Sequence, residues 1–122
     1  MKNKILVVAA HSDDEVLGCG GVISKLAKAG HSITALFMTN GVSARGEKES
    51  SYQAETRKMN SRNAADILGI SNITQFDFPD NSMDTIPLLE VVQVLEKAIE
   101  EFQPHTVFTH YLNDLNIDHS IV

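Results

Sequence analysis

Apolar and polar residues alternate along the 122-residue chain in blocks whose periods differ. The run Ile5-Leu-Val-Val-Ala-Ala10 is continuously apolar and too short for a helix, so it reads as a strand buried on both faces of a sheet. Glu15 to Ala29 then carries helical periodicity behind a glycine-rich turn, with Gly30 placed as a C-terminal stop. Ser32 to Thr39 is β-branched and apolar, predicting a second strand that ends at the turn signal Asn40-Gly41. Residues 43–51 have almost no apolar content and read as a surface loop, one that could lie over the strand ends or simply be solvated. Tyr52 to Leu68 is predicted helical, with Met59, Ala64, Ala65 and Leu68 on the apolar side and Gly69 as terminator. Ile73 to Phe78 predicts a third strand, followed by the turn Pro79-Asp80-Asn81. The clearest helix covers Pro87 to Phe102, with apolar positions at 88, 91, 92, 95, 98, 99 and 102. A short fourth strand, Thr106 to Thr109, delivers His110.

Strands alternating with helices predict an α/β fold, a mostly parallel sheet joined by right-handed crossovers with helices on both faces. In such a sheet the carboxyl ends of the strands share one edge. That edge would gather His11-Ser-Asp-Asp-Glu15, Asn40, residues 77–81, and the stretch from His110 onward. Three acids within three residues repel one another unless they are solvated or face something positive. His11 with Asp14 three residues later is a plausible pair of metal ligands, leaving Asp13 beside the metal without a coordinating duty. Helix capping explains acids after a strand equally well at this spacing. His119 near the other end of the chain brings metal ligation ahead. Two histidines and one carboxylate with an open position match a catalytic zinc site, whereas structural zinc sites are closed and usually use cysteine.

Composition narrows the reading. The chain has the size of one domain, 43% of it hydrophobic. A net charge of −6 without a basic stripe argues against a nucleic-acid partner. No segment is long enough to span a bilayer or resembles a secretory leader, which leads to an expected cytoplasmic location, with a homo-oligomer left open. The single cysteine, Cys19, has no internal partner for a disulfide and reads as a small packed residue. Gly18, Gly20 and Gly21 lack dinucleotide-binding spacing, and close packing of the helix on the sheet or backbone near a ligand explains them more simply. Arg57, near the start of its helix, suits an anionic or hydroxyl-rich ligand, or is merely solvated.

Ala10-His-Ser-Asp-Asp-Glu-Val-Leu-Gly-Cys-Gly-Gly21, followed about a hundred residues later by Asn116-Ile-Asp-His119, resembles the LmbE-like, or PIG-L, family of zinc-dependent N-deacetylases. Ser12 stands where the family's first motif has proline. The resemblance implies a Rossmann-like three-layer fold and removal of an N-acetyl group from an N-acetylglucosamine-type sugar or glycoconjugate. It also implies Zn²⁺, or another divalent ion such as Fe²⁺, held by His11, Asp14 and His119, with Asp13 as general base. Arg57 and Asp80 occupy places similar to the family's sugar-contacting arginine and acid. Asn116, also assigned to the substrate side, replaces a family histidine that assists proton transfer, and His110 is the candidate substitute. Asp118 is expected to orient a histidine or the loop, or to cap a helix. Family members look longer, so residues 1–122 are expected to form a single domain lacking the family's C-terminal part. The competing expectation is a weakly active or non-catalytic relative that binds metal and sugar.

Overall fold

The computed structural model describes residues 1–40 and 51–122. The predicted loop at residues 43–51 falls outside this description, except that Ser51 opens a helix. In chain order the elements are β1 (Lys4–Ala9), α1 (Asp14–Lys28), β2 (Ser32–Thr39), α2 (Ser51–Leu68), β3 (Asn72–Phe78), a 3₁₀ turn (Met83–Thr85), α3 (Leu88–Phe102), β4 (Thr106–Phe108) and α4 (Ile117–Ile121). All strand pairs are parallel, in the order β3-β2-β1-β4. Lys4 to Ala9 register against Ser32 to Phe37 on one side, and Ile5 to Val7 against Thr106 to Phe108 on the other.

The sheet is covered on both faces, and the alternating side chains of β1 and β2 divide between two cores. Ile5, Val7, Ala9, Ile33, Ala35 and Phe37 pack with Ile23 of α1 and Ala65 of α2. Leu6, Val8, Leu36 and Met38 pack with Val91 of α3 and with Met83, and Ile121 of α4 lies against the same cluster. This two-sided burial is why β1 carries no polar alternation.

Helix faces depart from the sequence reading at three places. In α3 the inward seam is Val91, Val94, Leu95, Ala98 and Phe102, while Leu88, Val92 and Ile99 are exposed. The apolar sector is wider than the contact strip, and Val94 lies within that strip. In α2, Ala65 is buried but Met59 is 64% exposed. The glycines of α1 do not mediate tight packing: an added Cβ on Gly20 would make ordinary contacts, and Gly18 and Gly21 have nothing within 4 Å. Both terminating glycines, Gly30 at φ +90° and Gly69 at φ +82°, adopt the left-handed conformation expected of helix stops.

The strand order reverses between β1 and β4, because the chain steps outward to β2 and β3 and then crosses to the far side of β1. Ligands in open α/β sheets bind outside the carboxyl ends of the strands at such a switch point. The segments that leave β1 and β4 there carry His11 to Asp14 and His110 to His119.

Candidate metal centre

Backbone geometry at the end of β1 sets the first half of the site. At Ala10 the N–H donates to His110 Nε2 at 2.8 Å, while the carbonyl accepts from both the backbone N–H and the hydroxyl of Thr39, at 3.0 and 2.8 Å. His11 follows, and its own N–H donates to Asp14 Oδ2 at 2.9 Å. Asp13 is the N-cap residue of α1, yet its side chain makes no capping bond, and it is exposed beside the cavity described below. The capping alternative is therefore not the arrangement found at α1.

The second half comes from the segment after β4. Asn116 caps α4, its Oδ1 accepting from the N–H groups of Asp118 and His119, at 3.0 and 3.3 Å. That short helix presents His119 to the end of β1. His11 Nδ1 lies 3.3 Å from Asp14 Oδ2 and 3.2 Å from His119 Nε2, and His119 Nε2 lies 3.1 Å from Asp14 Oδ2. A tetrahedral ion with bonds of about 2.0–2.1 Å sets its ligands about 3.3 Å apart. The three atoms are spaced as three corners of such a tetrahedron would be, and the donor set, two imidazoles and one carboxylate, suits zinc or iron.

Two other histidine-carboxylate groupings among the described residues fit less well. His110 and His119 are stacked, with ring centroids 3.8 Å apart and planes 13° from parallel, so their in-plane lone pairs do not converge. The grouping of His11, Asp80 and Asp118 offers a single imidazole with two carboxylates, and Asp118 in it is completely buried, which leaves less room for a substrate-accessible ion.

Both imidazoles of the trio have an outer carboxylate. His11 Nε2 is 2.9 Å from Asp118 Oδ2 and 2.9 Å from Asp80 Oδ1, and His119 Nδ1 is 3.0 Å from Asp114 Oδ2. Carboxylate–histidine pairs of this kind fix the ring orientation and tautomer of metal ligands. Asp118 is completely buried and orients His11, while the cap of α4 falls to Asn116. Asp80 turns inward to the imidazole and also lines the cavity expected to take substrate. Asp114 was not singled out in the sequence; Asn113-Asp114 carries only a turn signal, and nothing in its spacing from His119 marks a contact.

The Asp14 hydrogen bond, against the opposing effect of burial and with help from Asp118, raises the His11 pKa to about 9. Burial pushes Asp14 upward, but the side-chain and backbone hydrogen bonds from His11 outweigh it and leave the carboxyl below its ordinary value. Burial, then the neighbouring His119 charge, lowers the pKa of His110.

Two cavities flank the trio. One, of about 760 Å³, is lined by polar groups that include Ser12, Asp13, Arg57, Asp80 and Asn116. The other, of about 530 Å³, lies toward β4 and is lined by Glu15, Leu17, Cys19, Phe108 and Tyr111. The sequence-predicted residues His11, Asp13, Asp14, Arg57, Asp80, Asn116 and His119 all border the first cavity, while His110 lies under His119 and borders the second.

The sequence matches the PIG-L family, GlcNAc-PI de-N-acetylase, over residues 6–122. The chain belongs to the PIG-L family. It is 32% identical over 123 residues to the uncharacterized deacetylase YaiS of Escherichia coli K12, covering 97% of this chain and 63% of the relative. It is 31% identical over 98 residues to the diacetylchitobiose deacetylase of Thermococcus kodakarensis, covering 77% of this chain and 37% of that protein. Among solved structures, the N,N'-diacetylchitobiose deacetylase of Pyrococcus horikoshii superposes with a TM-score of 0.84 at 29% identity, over 98% of this chain and 46% of that one. GalB of Pseudomonas putida KT2440, a 4-carboxy-2-hydroxymuconate hydratase, superposes with a TM-score of 0.80 at 31% identity, over 98% of this chain and 51% of its own. The chain spans about half the length of the curated relatives it matches, from 37% to 63%. Among the described residues no helix is long and apolar enough to cross a membrane.

Proposed function

We propose that the protein is a metal-dependent N-deacetylase of N-acetylglucosamine-type sugars or glycoconjugates, with Zn²⁺ as the cation. The observation that carries this is the ligand triangle of His11, Asp14 and His119 with Asp13 beside it and outside the ligand set. Relatives named as deacetylases of acetylated sugars support it.

A bound zinc ion acts as a Lewis acid, lowering the pKa of water toward about 7 and stabilising negative charge on an amide oxygen. Asp13 is the general base: it accepts a proton from the attacking water and returns it to the amide nitrogen as the C–N bond breaks, releasing acetate and a free amine. Arg57, Asp80 and Asn116, which border the polar cavity, hold the sugar there. His110 is placed for support more than for proton delivery, since its Nε2 accepts the Ala10 N–H and its lowered pKa keeps the ring neutral. Asn116, an amide, has no proton to give at neutral pH, which leaves Asp13 to handle both transfers.

The test follows acetate release from N-acetylglucosamine derivatives. Chelator should abolish it and added Zn²⁺ restore it, while Asp13→Ala should lose activity yet retain metal. Full activity after chelation, or in Asp13→Ala, sinks the reading. A second reading rests on the similarity to GalB: the same centre would add water to a double bond of a hydroxy-tricarboxylate, with Arg57 pairing a carboxylate. Loss of diene absorbance without acetate release from any acetylated sugar would select it.

A further inference from the structure

We propose that Asp114 is a positioning residue, which fixes the tautomer of His119 and thereby sets how tightly the site holds metal; this rests on the reading of His11, Asp14 and His119 as ligands. His119 points Nε2 at the ligand triangle and Nδ1 at Asp114 Oδ2, 3.0 Å away. An imidazole that ligates through Nε2 must leave that nitrogen unprotonated, so its proton resides on Nδ1. A carboxylate accepts and cannot donate. Asp114 therefore permits only the ligating tautomer, and its other oxygen, accepting from Asn116 N–H at 2.9 Å, prevents the carboxylate from swinging away.

The two outer carboxylates are unequal. Asp118, behind His11, is completely buried and accepts two backbone N–H groups. Asp114 has a side chain 34% exposed and one backbone bond. Substitution at Asp114 thus reaches the metal site with less disturbance to the core.

An amide in place of the carboxylate tests the idea. Asp114→Asn can keep the bond to Asn116 N–H only by turning its NH₂ toward His119, which stabilises the tautomer that cannot ligate. The flipped amide serves His119 but sets NH₂ against Asn116 N–H. Asp114→Ala removes both bonds and imposes no tautomer. Zn²⁺ affinity, measured by competition with a chromophoric chelator, should fall about 10- to 100-fold in Asp114→Asn. The loss should equal or exceed that in Asp114→Ala, with a matching change in the visible spectrum of the Co²⁺ form. A purely structural role predicts the reverse order, with Asn milder than Ala, and that order or an unchanged affinity overturns the proposal. Imidazole nitrogen NMR of the unsubstituted, metal-free chain at pH 8 reads the same point without a variant: a proton on Nδ1 of His119 is expected, whether or not Nε2 also carries one toward Asp14, and an unprotonated Nδ1 refutes it. If the unsubstituted chain binds no metal, the proposed function fails, while the NMR arm still decides Asp114.

Discussion

Replacing Glu15 by glutamine should stabilise the metal-free protein at alkaline pH and leave its relative stability nearly unchanged in acid. Glu15 is 1% exposed in the first turn of α1, and beyond the backbone N–H groups of its own turn neither carboxylate oxygen has a hydrogen-bond partner among the described residues. Burial, opposed by the N–H groups of Glu15 and Val16 and reinforced by the charges of Asp13 and Asp14, pushes its pKa from 4.5 to about 7. A raised acid pKa means that the folded chain holds this proton while the unfolded chain has already lost it. Stability from this group is therefore greatest below pH 4.5, falls as pH rises through the window up to about 7, and is flat above it. The shift of roughly 2.5 pH units corresponds to a loss of order 3 kcal/mol. Glutamine keeps the shape and cannot ionise, so its own burial cost does not depend on pH. Urea unfolding of both proteins in chelator, at half-unit steps from pH 4.5 to 8.5, isolates the effect: other titrating groups are common to both and cancel in the difference. A difference that opens by about 2–3 kcal/mol in favour of Glu15→Gln between pH 4.5 and 7.5 is expected. A pH-independent difference would show that Glu15 is solvated or partnered in solution and would refute the reasoning.

Gly69→Ala should lower stability by more than about 1–2 kcal/mol, because a left-handed backbone strains any side chain and the new Cβ would stand 2.6 Å from Ala27 Cβ. Gly30→Ala has a similar φ but nothing within 4 Å, so comparing the two urea midpoints separates strain from collision. Asp118→Asn leaves the N–H of Asn81 or Met83, or the ring of His11, facing an NH₂ group. It should cost about 2–3 kcal/mol and weaken Zn²⁺ binding, read by thermal melts with and without the ion.

The elements were legible because period alone separates a doubly buried strand from an amphipathic helix. β2 has the bounds its β-branched run predicts, Ser32–Thr39. Where the reading slipped, a distant group had intervened. Ala10 looks like the last residue of β1, and its carbonyl does accept the Thr39 N–H at 3.0 Å, but its N–H is taken by an imidazole a hundred residues away, so the regular strand ends at Ala9. Met83 sits in a polar, turn-rich stretch and gave no core signal, yet it is wholly buried, its N–H donating to Asp118. That His11, Asp14 and His119 would meet was legible from chemistry, since histidine and acid recur at two strand ends that this topology must bring together. The outer carboxylates were less so. Asp118 could have been a cap until Asn116 was seen to take that place, and Asp114 acts through a turn whose shape no spacing rule encodes.

His11 and His119 stand 108 residues apart along the chain. A cation held between them would work as a clasp, gathering nearly all of the polypeptide into one closed ring. A covalent bridge around a loop of about 100 residues removes unfolded-chain entropy equivalent to roughly 4–5 kcal/mol. A coordinate clasp acts in the same sense, and its strength follows the free ion concentration. Stripping the ion would loosen the whole sheet as well as the few side chains that touch it, so thermal midpoint and zinc occupancy should rise and fall together.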